Sequence, residues 1–321
     1  MRREASKLVG GVAGLLLAGC GGGGDGADFR NPVYGADFPD PFVLRDGKRF
    51  YAYGTNAGGS EVQTLTSDDL VHWKPGADAL PDVGAWAYPG KTWAPEVLAR
   101  EDGTYLLYYT ANGGGQCVGR AVADDPGGPF VDRWRGPLVC QRSEGGSIDA
   151  SPFRDDDGSL YLYWKNDGNA IGHTTWIWGQ RLSPDGTQLV GAPTKLVSND
   201  RGWEGGVVEA PTMWLEHGRR FLFFSAEAYD GEAYAVGYAT CAGPLGPCED
   251  APENPILKTA CDARGPGHQA LVHDGGGGTW IAYHAWDATF ERRVLWLDRI
   301  HWDDGKPVVE GPTCTAQQQP R

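Results

Sequence analysis

Asp40 stands between two prolines in FPDPF, residues 38–42, just before a strand-like apolar run. Proline resists both helix interiors and central strands, so this carboxylate is fixed at the mouth of an extended segment. Asp149 in SIDASPFRD and Glu209 in VVEAPTM stand in comparable settings. Carboxylates that converge repel one another and need a metal, a substrate or a shared proton to hold them together. Glycoside hydrolysis uses such a set: one carboxyl protonates the departing oxygen and another activates water or attacks the sugar. A third can hold the acid's protonation and orientation. Asp40 alone also reads as an ordinary turn residue, and Asp37 three residues earlier fits that reading better. The chemistry requires elements that bring these distant acids together.

A repeat supplies them. A phrase with a Gly turn followed by aromatic and β-branched residues occurs five times, as DGKRFYAYGT, DGTYLLYYTA, DGSLYLYWKN, HGRRFLFFSA and, more loosely, GGTWIAYHAW. With Gly47, Gly103, Gly158, Gly218 and Gly278 as marks, the steps are 56, 55, 60 and 60 residues. Each turn is preceded by a short apolar segment, which reads as the first arm of a hairpin. A strand, a turn, an aromatic strand and room for about two more strands make one propeller blade. No long segment has the 3.6-residue periodicity that a Rossmann or α/β-barrel fold requires. The fold class is therefore all-β, a five-bladed β-propeller, and its period argues against a sandwich.

In a propeller the first strand of each blade lines the axis. Asp40, Asp149 and Glu209 begin the first, third and fourth of these strands, and Trp93 and His268 begin the second and fifth. The three acids then face one axial depression. Trp93 offers an aromatic wall for a sugar ring, and Trp86 and Phe38 are further candidates for it. Glu204 competes with Glu209 in RGWEGGVVEAP, but Glu209 holds the blade-start position. Glu96 in WAPEVL is expected to face away from the pocket. Asp155, Asp156 and Asp157 resemble a calcium loop, although DDDG before an aromatic strand more often forms a solvated hairpin turn.

The 321 residues carry a net charge of −14. Nucleic acids and anionic membrane surfaces, which need a basic patch, are excluded as partners; a neutral sugar is not. The N-terminus carries Arg2, Arg3 and Lys7, then an apolar run too short to span a bilayer, then LAGC ending at Cys20. This resembles a bacterial lipoprotein signal, with residues 1–19 as signal peptide, 20–27 as a Gly-rich tether and 28–321 as the propeller domain. The expected location is the cell envelope, with the lipid on Cys20 as the sole membrane contact. Six further cysteines remain, and they allow 15 pairings. Cys241 and Cys248 flank a turn-like AGPLGP and are the first pair expected. Cys117–Cys140 and Cys261–Cys314 follow by proximity and elimination.

Six segments in order, FPDPFV, TWAPEVL, SIDASPFRDDDG, VVEAPTM, GPGHQA and RRVLWLDRIHWDDGKPVV, resemble the signatures of glycoside hydrolase family 43 over about residues 31–312. The resemblance implies an inverting mechanism, with Asp40 as general base, Glu209 as general acid and Asp149 tuning and orienting the acid. It implies no cofactor for the chemistry. In many arabinan-acting members the histidine matched by His268 helps hold a calcium ion near the axis, and other members lack the ion. Arg293 matches an arginine that reaches the substrate; Arg292 is its competitor, since strand alternation turns only one of the two inward.

The expected activity is hydrolysis of pentose-containing oligo- or polysaccharides, on the α-L-arabinofuranosidase and arabinanase side of the family. The alternatives are β-xylosidase activity of the same family and a non-catalytic carbohydrate-binding propeller, which would not need all three acids. A protein-interaction propeller requires a filled axial pocket. The sequence carries no oligomer signal, and a monomer is expected.

Overall fold

The computed structural model describes residues 28–321, and the leader, tether and Cys20 lie outside the described residues. Five antiparallel sheets follow one another along the chain, and among the described residues there is no α-helix. Blade I is built from Phe42–Asp46, Arg49–Gly54, Gln63–Ser67 and Lys74–Pro75. Blade II has Thr92–Ala99, Tyr105–Asn112 and Gln116–Ala123, with Val131 and Val139 bridging its outer edge in place of a fourth strand. Blade III comprises Ser147–Arg154, Leu160–Asn166, Trp176–Leu182 and Leu189–Ser198. Blade IV comprises Val208–Glu216, Arg219–Ala226, Ala235–Cys241 and Cys248–Asp250, and blade V Arg264–His273, Thr279–Trp286, Arg293–Asp303 and Lys306–Glu310. The predicted five-bladed propeller is observed, with the first strand of each blade innermost. In blade V the turn glycine with positive φ is Gly277 rather than Gly278.

Apolar side chains fill the space between blades. Five buried clusters occur, one at each blade junction. Each uses alternate residues of facing strands, as the period of two dictates. Phe38 belongs to the cluster between blades V and I. It is 0% exposed, edge-on to Tyr34, and its ring comes within 3.1 Å of where a Cβ on Gly54 would stand. Phe38 therefore has no surface to offer a sugar, contrary to expectation.

Closure of the ring falls to the chain ends. Asp28–Phe29 pairs with Gln317–Gln318, and residues 31–34 lie along blade V. Val33 N–H donates to the Leu295 carbonyl at 2.9 Å, and the Asn31 amide bridges Leu297 and Asp298. The three predicted disulfides are all present: Cys241–Cys248 across two strands of blade IV, Cys117–Cys140 at blade II, and Cys261–Cys314 near the C-terminal segment.

One local device recurs around the axis. In every blade the innermost strand bulges at two residues opposite one on its neighbour. The first bulged residue is left-handed: Asp40, Ala94, Asp149, Ala210 and His268 all have φ between 47° and 56°. Asp and His tolerate this region better than most residues, and Ala is small. The bulge turns each of these backbone N–H groups out of its own ladder and toward the preceding blade. There a side chain from the second strand accepts it. Ala94 donates to Thr55 Oγ1 at 2.9 Å, Asp149 to Thr110 Oγ1 at 3.0 Å, His268 to Ser225 Oγ at 2.8 Å and Asp40 to His284 Nδ1 at 3.1 Å. At the fifth junction Lys165 occupies the acceptor's position, and Ala210 donates instead to Asp149 Oδ2 at 3.0 Å.

This ring of side-chain-to-backbone bonds is expected to carry stability. Thr110→Val keeps the shape of a fully buried side chain but orphans the Asp149 N–H. A buried unpaired donor costs about 1–3 kcal/mol. Urea unfolding of the variant is expected to show a loss in that range; an unchanged midpoint would show that the ring bond contributes nothing.

Candidate active site

The bulges open onto one mouth of the axis, where a cavity of about 440 Å³ is lined by Asp40, Trp93, Asp149, Lys165, Glu209, Tyr229, His268 and Arg293, among others. The three acids predicted from the repeat thus share one cavity. Their register differs from the one read in the sequence. Across the hairpins, Pro39, Trp93, Ile148, Glu209 and Gly267 are the equivalent residues, each one before its left-handed neighbour. Blades I, III and V use the left-handed position for Asp40, Asp149 and His268. Blades II and IV put Ala there and send Trp93 and Glu209 in from the position before. The two sites are adjacent and both reach the cavity, which a sequence alignment of the phrases blurs by one residue.

Asp40 sits in a nest of donors. Its Oδ1 lies 2.9 Å from Arg293 Nη1 and 3.3 Å from His268 Nδ1, and its Oδ2 accepts from Thr55 Oγ1 at 2.5 Å. Burial pushes its pKa up, but Arg293 and His268 outweigh burial and hold the carboxyl well below the usual range. His284 is fully buried, and burial pushes its pKa down to about 4. The ring is therefore neutral near pH 7. Its Nδ1 cannot both accept the Asp40 N–H at 3.1 Å and donate to Oδ1 at 3.3 Å, and neutrality with the N–H contact assigns it the acceptor role. Arg293 is itself clamped. Its backbone N–H donates to Asp37 Oδ1 at 2.9 Å, its carbonyl accepts from Phe38 N–H at 2.8 Å, and its guanidinium lies over the rings of Tyr229 and Trp286. Asp37, read as a plain turn residue, thus fixes the strand that carries Arg293. Arg292 points away and pairs with Asp287 on the surface.

Glu209 has different company. Tyr234 donates its hydroxyl to Oε1 at 2.8 Å, and Lys165 Nζ lies 3.1 Å from Oε2. Burial works against the Lys165 charge, but Glu209, Asp149 and Asp167 overcome it and keep the ammonium protonated. Asp149 shares the cavity with the two other acids. Burial, then Glu209 and Asp40, push its pKa up to about 6 against the pull of His268 and Lys165. Because Asp149 Oδ2 accepts the N–H of Ala210, it also anchors the backbone that carries Glu209. One carboxylate held ionised, another acid engaged at both oxygens and a third with raised pKa in the same cavity are able to run paired acid and base chemistry.

The sequence profile of glycosyl hydrolases family 43 matches residues 29–307. This chain belongs to that family. Family 43 is an inverting O-glycosyl hydrolase family, and the protein is a glycosidase. Its sequence is 26% identical to a β-D-galactofuranosidase of Aspergillus niger, over 87% of this chain and 84% of that one. It is 29% identical to a non-reducing end α-L-arabinofuranosidase of Bacteroides ovatus, over 88% of this chain and 53% of the relative. The chain spans about half the length of several such relatives, β-xylosidases among them. A thermostable family-43 glycoside hydrolase of known structure superposes with a TM-score of 0.84 at 29% identity, over 91% of this chain and 99% of that one.

Within this family 43 propeller, Trp93 forms part of the cavity wall, as expected. Trp86 does not. Its ring stacks on Tyr109 and its Nε1 donates to Asp132 at 3.0 Å, which ties it into the junction of blades I and II. His268 faces Asp40, whose Oδ1 is already paired with Arg293. One shared carboxylate is far short of the six to eight oxygens that calcium takes, so an ion beside His268 would have to be held chiefly by water. Among the described residues the one cluster of three acidic, His or Cys ligand atoms is Asp155–Asp157, where Arg220 already bridges Asp155 and Asp156. Glu204 is buried outside the cavity, and burial raises its pKa to about 7. Glu96 lines a second recess, which none of the three acids lines, and burial, with Asp149 nearby, pushes its carboxyl well above the usual range.

The reading of the acids overlooked Lys165, Asp167, Tyr229, Tyr234 and His284. A signal for two of them was present. Thr110, Lys165 and Ser225 occupy the same place in three of the aromatic phrases, with Thr55 one residue later and His284 one residue earlier in theirs, and a polar residue recurring near the end of an apolar strand marks a constrained position.

Arg293→Met removes the cation nearest Asp40. Loss of an adjacent opposite charge raises a carboxyl pKa by about 1–3 units. The Asp40 carboxyl, followed by 13C chemical shift against pH, is expected to titrate higher by that amount; an unmoved titration would mean that His268 and the hydrogen bonds suffice without the arginine.

Proposed function

We propose that this glycosidase removes pentofuranosyl units from plant-type polysaccharides, with α-L-arabinofuranosyl linkages as its substrate. The observation that carries the reading is the division of one cavity between an Asp40 nest from blades I and V and a Glu209 nest from blades III and IV. In this reading Asp40, held ionised by Arg293 and His268, orients water and takes its proton as the water adds to the anomeric carbon. Glu209 gives a proton to the glycosidic oxygen as the bond breaks. A weak base is sufficient, because the transition state carries its positive charge on the sugar ring. Asp149 anchors the Glu209 backbone and supplies a negative field beside it. Trp93 and Tyr229 provide apolar faces for the ring.

The furanoside preference is supported by relatives named for β-D-galactofuranoside, non-reducing end α-L-arabinofuranoside and endo-arabinan cleavage. The cavity lies toward the small end of ligand pockets, which favours a short stretch of sugar. Relatives named β-xylosidase support the second reading, β-xylosidase activity. Three disulfides favour an oxidising compartment. With the leader and Cys20 they favour an exported, lipid-anchored protein as the working form.

Nitrophenyl α-L-arabinofuranoside, β-D-galactofuranoside and β-D-xyloside, assayed side by side, are expected to rank the arabinofuranoside first. Proton NMR is expected to show the inverted anomer as first product. Asp40→Asn and Glu209→Gln are each expected to lower kcat by about 10²–10⁴ on a sugar leaving group. Glu209→Gln is expected to retain much more activity on a dinitrophenyl glycoside, whose leaving group needs no proton. Full activity in Glu209→Gln on a disaccharide would remove it from the mechanism, and a faster xyloside would transfer the assignment to the second reading.

A further inference from the structure

The ring around the axis has one member that cannot do the ring's work. Thr55, Thr110, Ser225 and His284 each present an acceptor to the next blade's N–H. Lys165, at the same place in blade III, has three donors and no acceptor. The junction is closed by Asp149 instead, and Lys165 is turned toward the cavity. Its side chain is 1% exposed, with Nζ 3.1 Å from Glu209 Oε2 and 3.6 Å from Asp167 Oδ1. Asp167 also lines the cavity. The other groups facing Glu209 are the Tyr234 hydroxyl and the Asp149 carboxyl, and His268 and Asp40 act in turn on Asp149. Among the described residues, Lys165 is the one cation paired with Glu209.

This arrangement conflicts with the work of an acid. A carboxyl can give a proton only after taking one, yet both Glu209 oxygens already accept from donors. A cation 3.1 Å from Oε2 favours the ionised carboxylate, so Glu209 takes a proton more readily once the two separate. Asp167, on the other side of Nζ, is the available counter-ion. Resting on Glu209 as the acid, we propose that Lys165 is a positioning residue whose ammonium is shared between Glu209 and Asp167. Its withdrawal to Asp167 on substrate entry frees Glu209 Oε2 for the proton that goes to the leaving oxygen. Lys165 keeps all three protons throughout. The Glu209 proton passes to the glycosidic oxygen as the C–O bond breaks, the water proton passes to Asp40, and Lys165 then returns to the new Glu209 carboxylate.

The readout is the alkaline limb of kcat/KM against pH, measured on a disaccharide or a poor aryl leaving group. Removing the cation with Lys165→Met lets Glu209 keep its proton to higher pH, so the limb moves up. Asp167→Asn leaves Lys165 with Glu209 alone, so the limb moves down. Each shift is expected to be about 1 pH unit, the size of one close charge. Asp167 is on the cavity wall, so Asp167→Asn keeps the question open to test if Lys165→Met does not fold. A limb that stays in place in either folded variant overturns the proposal, because neither charge would then act on the Glu209 proton. Glu209→Gln on the same substrates, and on a dinitrophenyl glycoside, separates the two ideas. Loss confined to the poor leaving groups keeps Glu209 as the acid even where the Lys165 proposal fails.

Discussion

Five backbone N–H groups around the axis depend on acceptors outside their own sheets. The two-residue bulge in each innermost strand turns them out of the ladder, and the left-handed residue at its head fixes their direction. A non-glycine residue in that region costs about 1–3 kcal/mol, and five of them meet in one ring. The ring is sustained because each N–H reaches a side chain of the preceding blade, and because five apolar clusters press the blades together. The same distortion that needs this support also aims the side chains of the bulge into the cavity. Strain and function have one geometric origin here.

The ring also explains why the acids behave differently although the fold repeats. The bulge offers two neighbouring positions, and the environment of each carboxylate is set by what the adjoining blade supplies. Blade V surrounds Asp40 with Arg293, His268 and His284. Blade III gives Glu209 a lysine, and blade IV adds a tyrosine hydroxyl. Asp149, with no basic side chain in hydrogen-bonding contact, takes the combined effect of burial and two acidic neighbours, and its pKa is raised. Opposite shifts in neighbouring carboxyls arise from one approximate symmetry broken at named side chains.

Much of this was legible in the sequence because it was periodic. Strand pairs, turns and blade count follow from apolar alternation and glycines at a step near 55–60 residues. The three acids were found because they head strands that a propeller must place at its axis. Phe38 and Trp86 were misplaced for a related reason. An aromatic near an acid reads the same whether it faces the cavity or the adjoining blade, and only packing against Tyr34 or Tyr109 distinguishes the two. The one-residue offset of Glu209 was hidden because the bulge inserts a residue without changing the pattern on either side. Tyr229 and Tyr234 come from the segment after Arg219–Ala226, where no repeat constrains the chain and spacing carries no message.

The two nests also divide the work of closure. Everything that touches Asp40 comes from blades V and I, the pair that the chain ends must join. Asp37, Phe38 and Asp40 take hold of Arg293 through its backbone N–H, its carbonyl and its guanidinium. Asn31 and Val33 continue the clasp along the same strand. The Asp40 constellation is thus part of the seam, and its geometry is set by the fit of the last blade onto the first. Glu209 and its partners belong to blades III and IV, which are consecutive and need no clasp. The gap between Asp40 and Glu209 is therefore not the property of one loop. It is the span of the closed ring, and a change that loosens the seam alters that gap without touching a single acid.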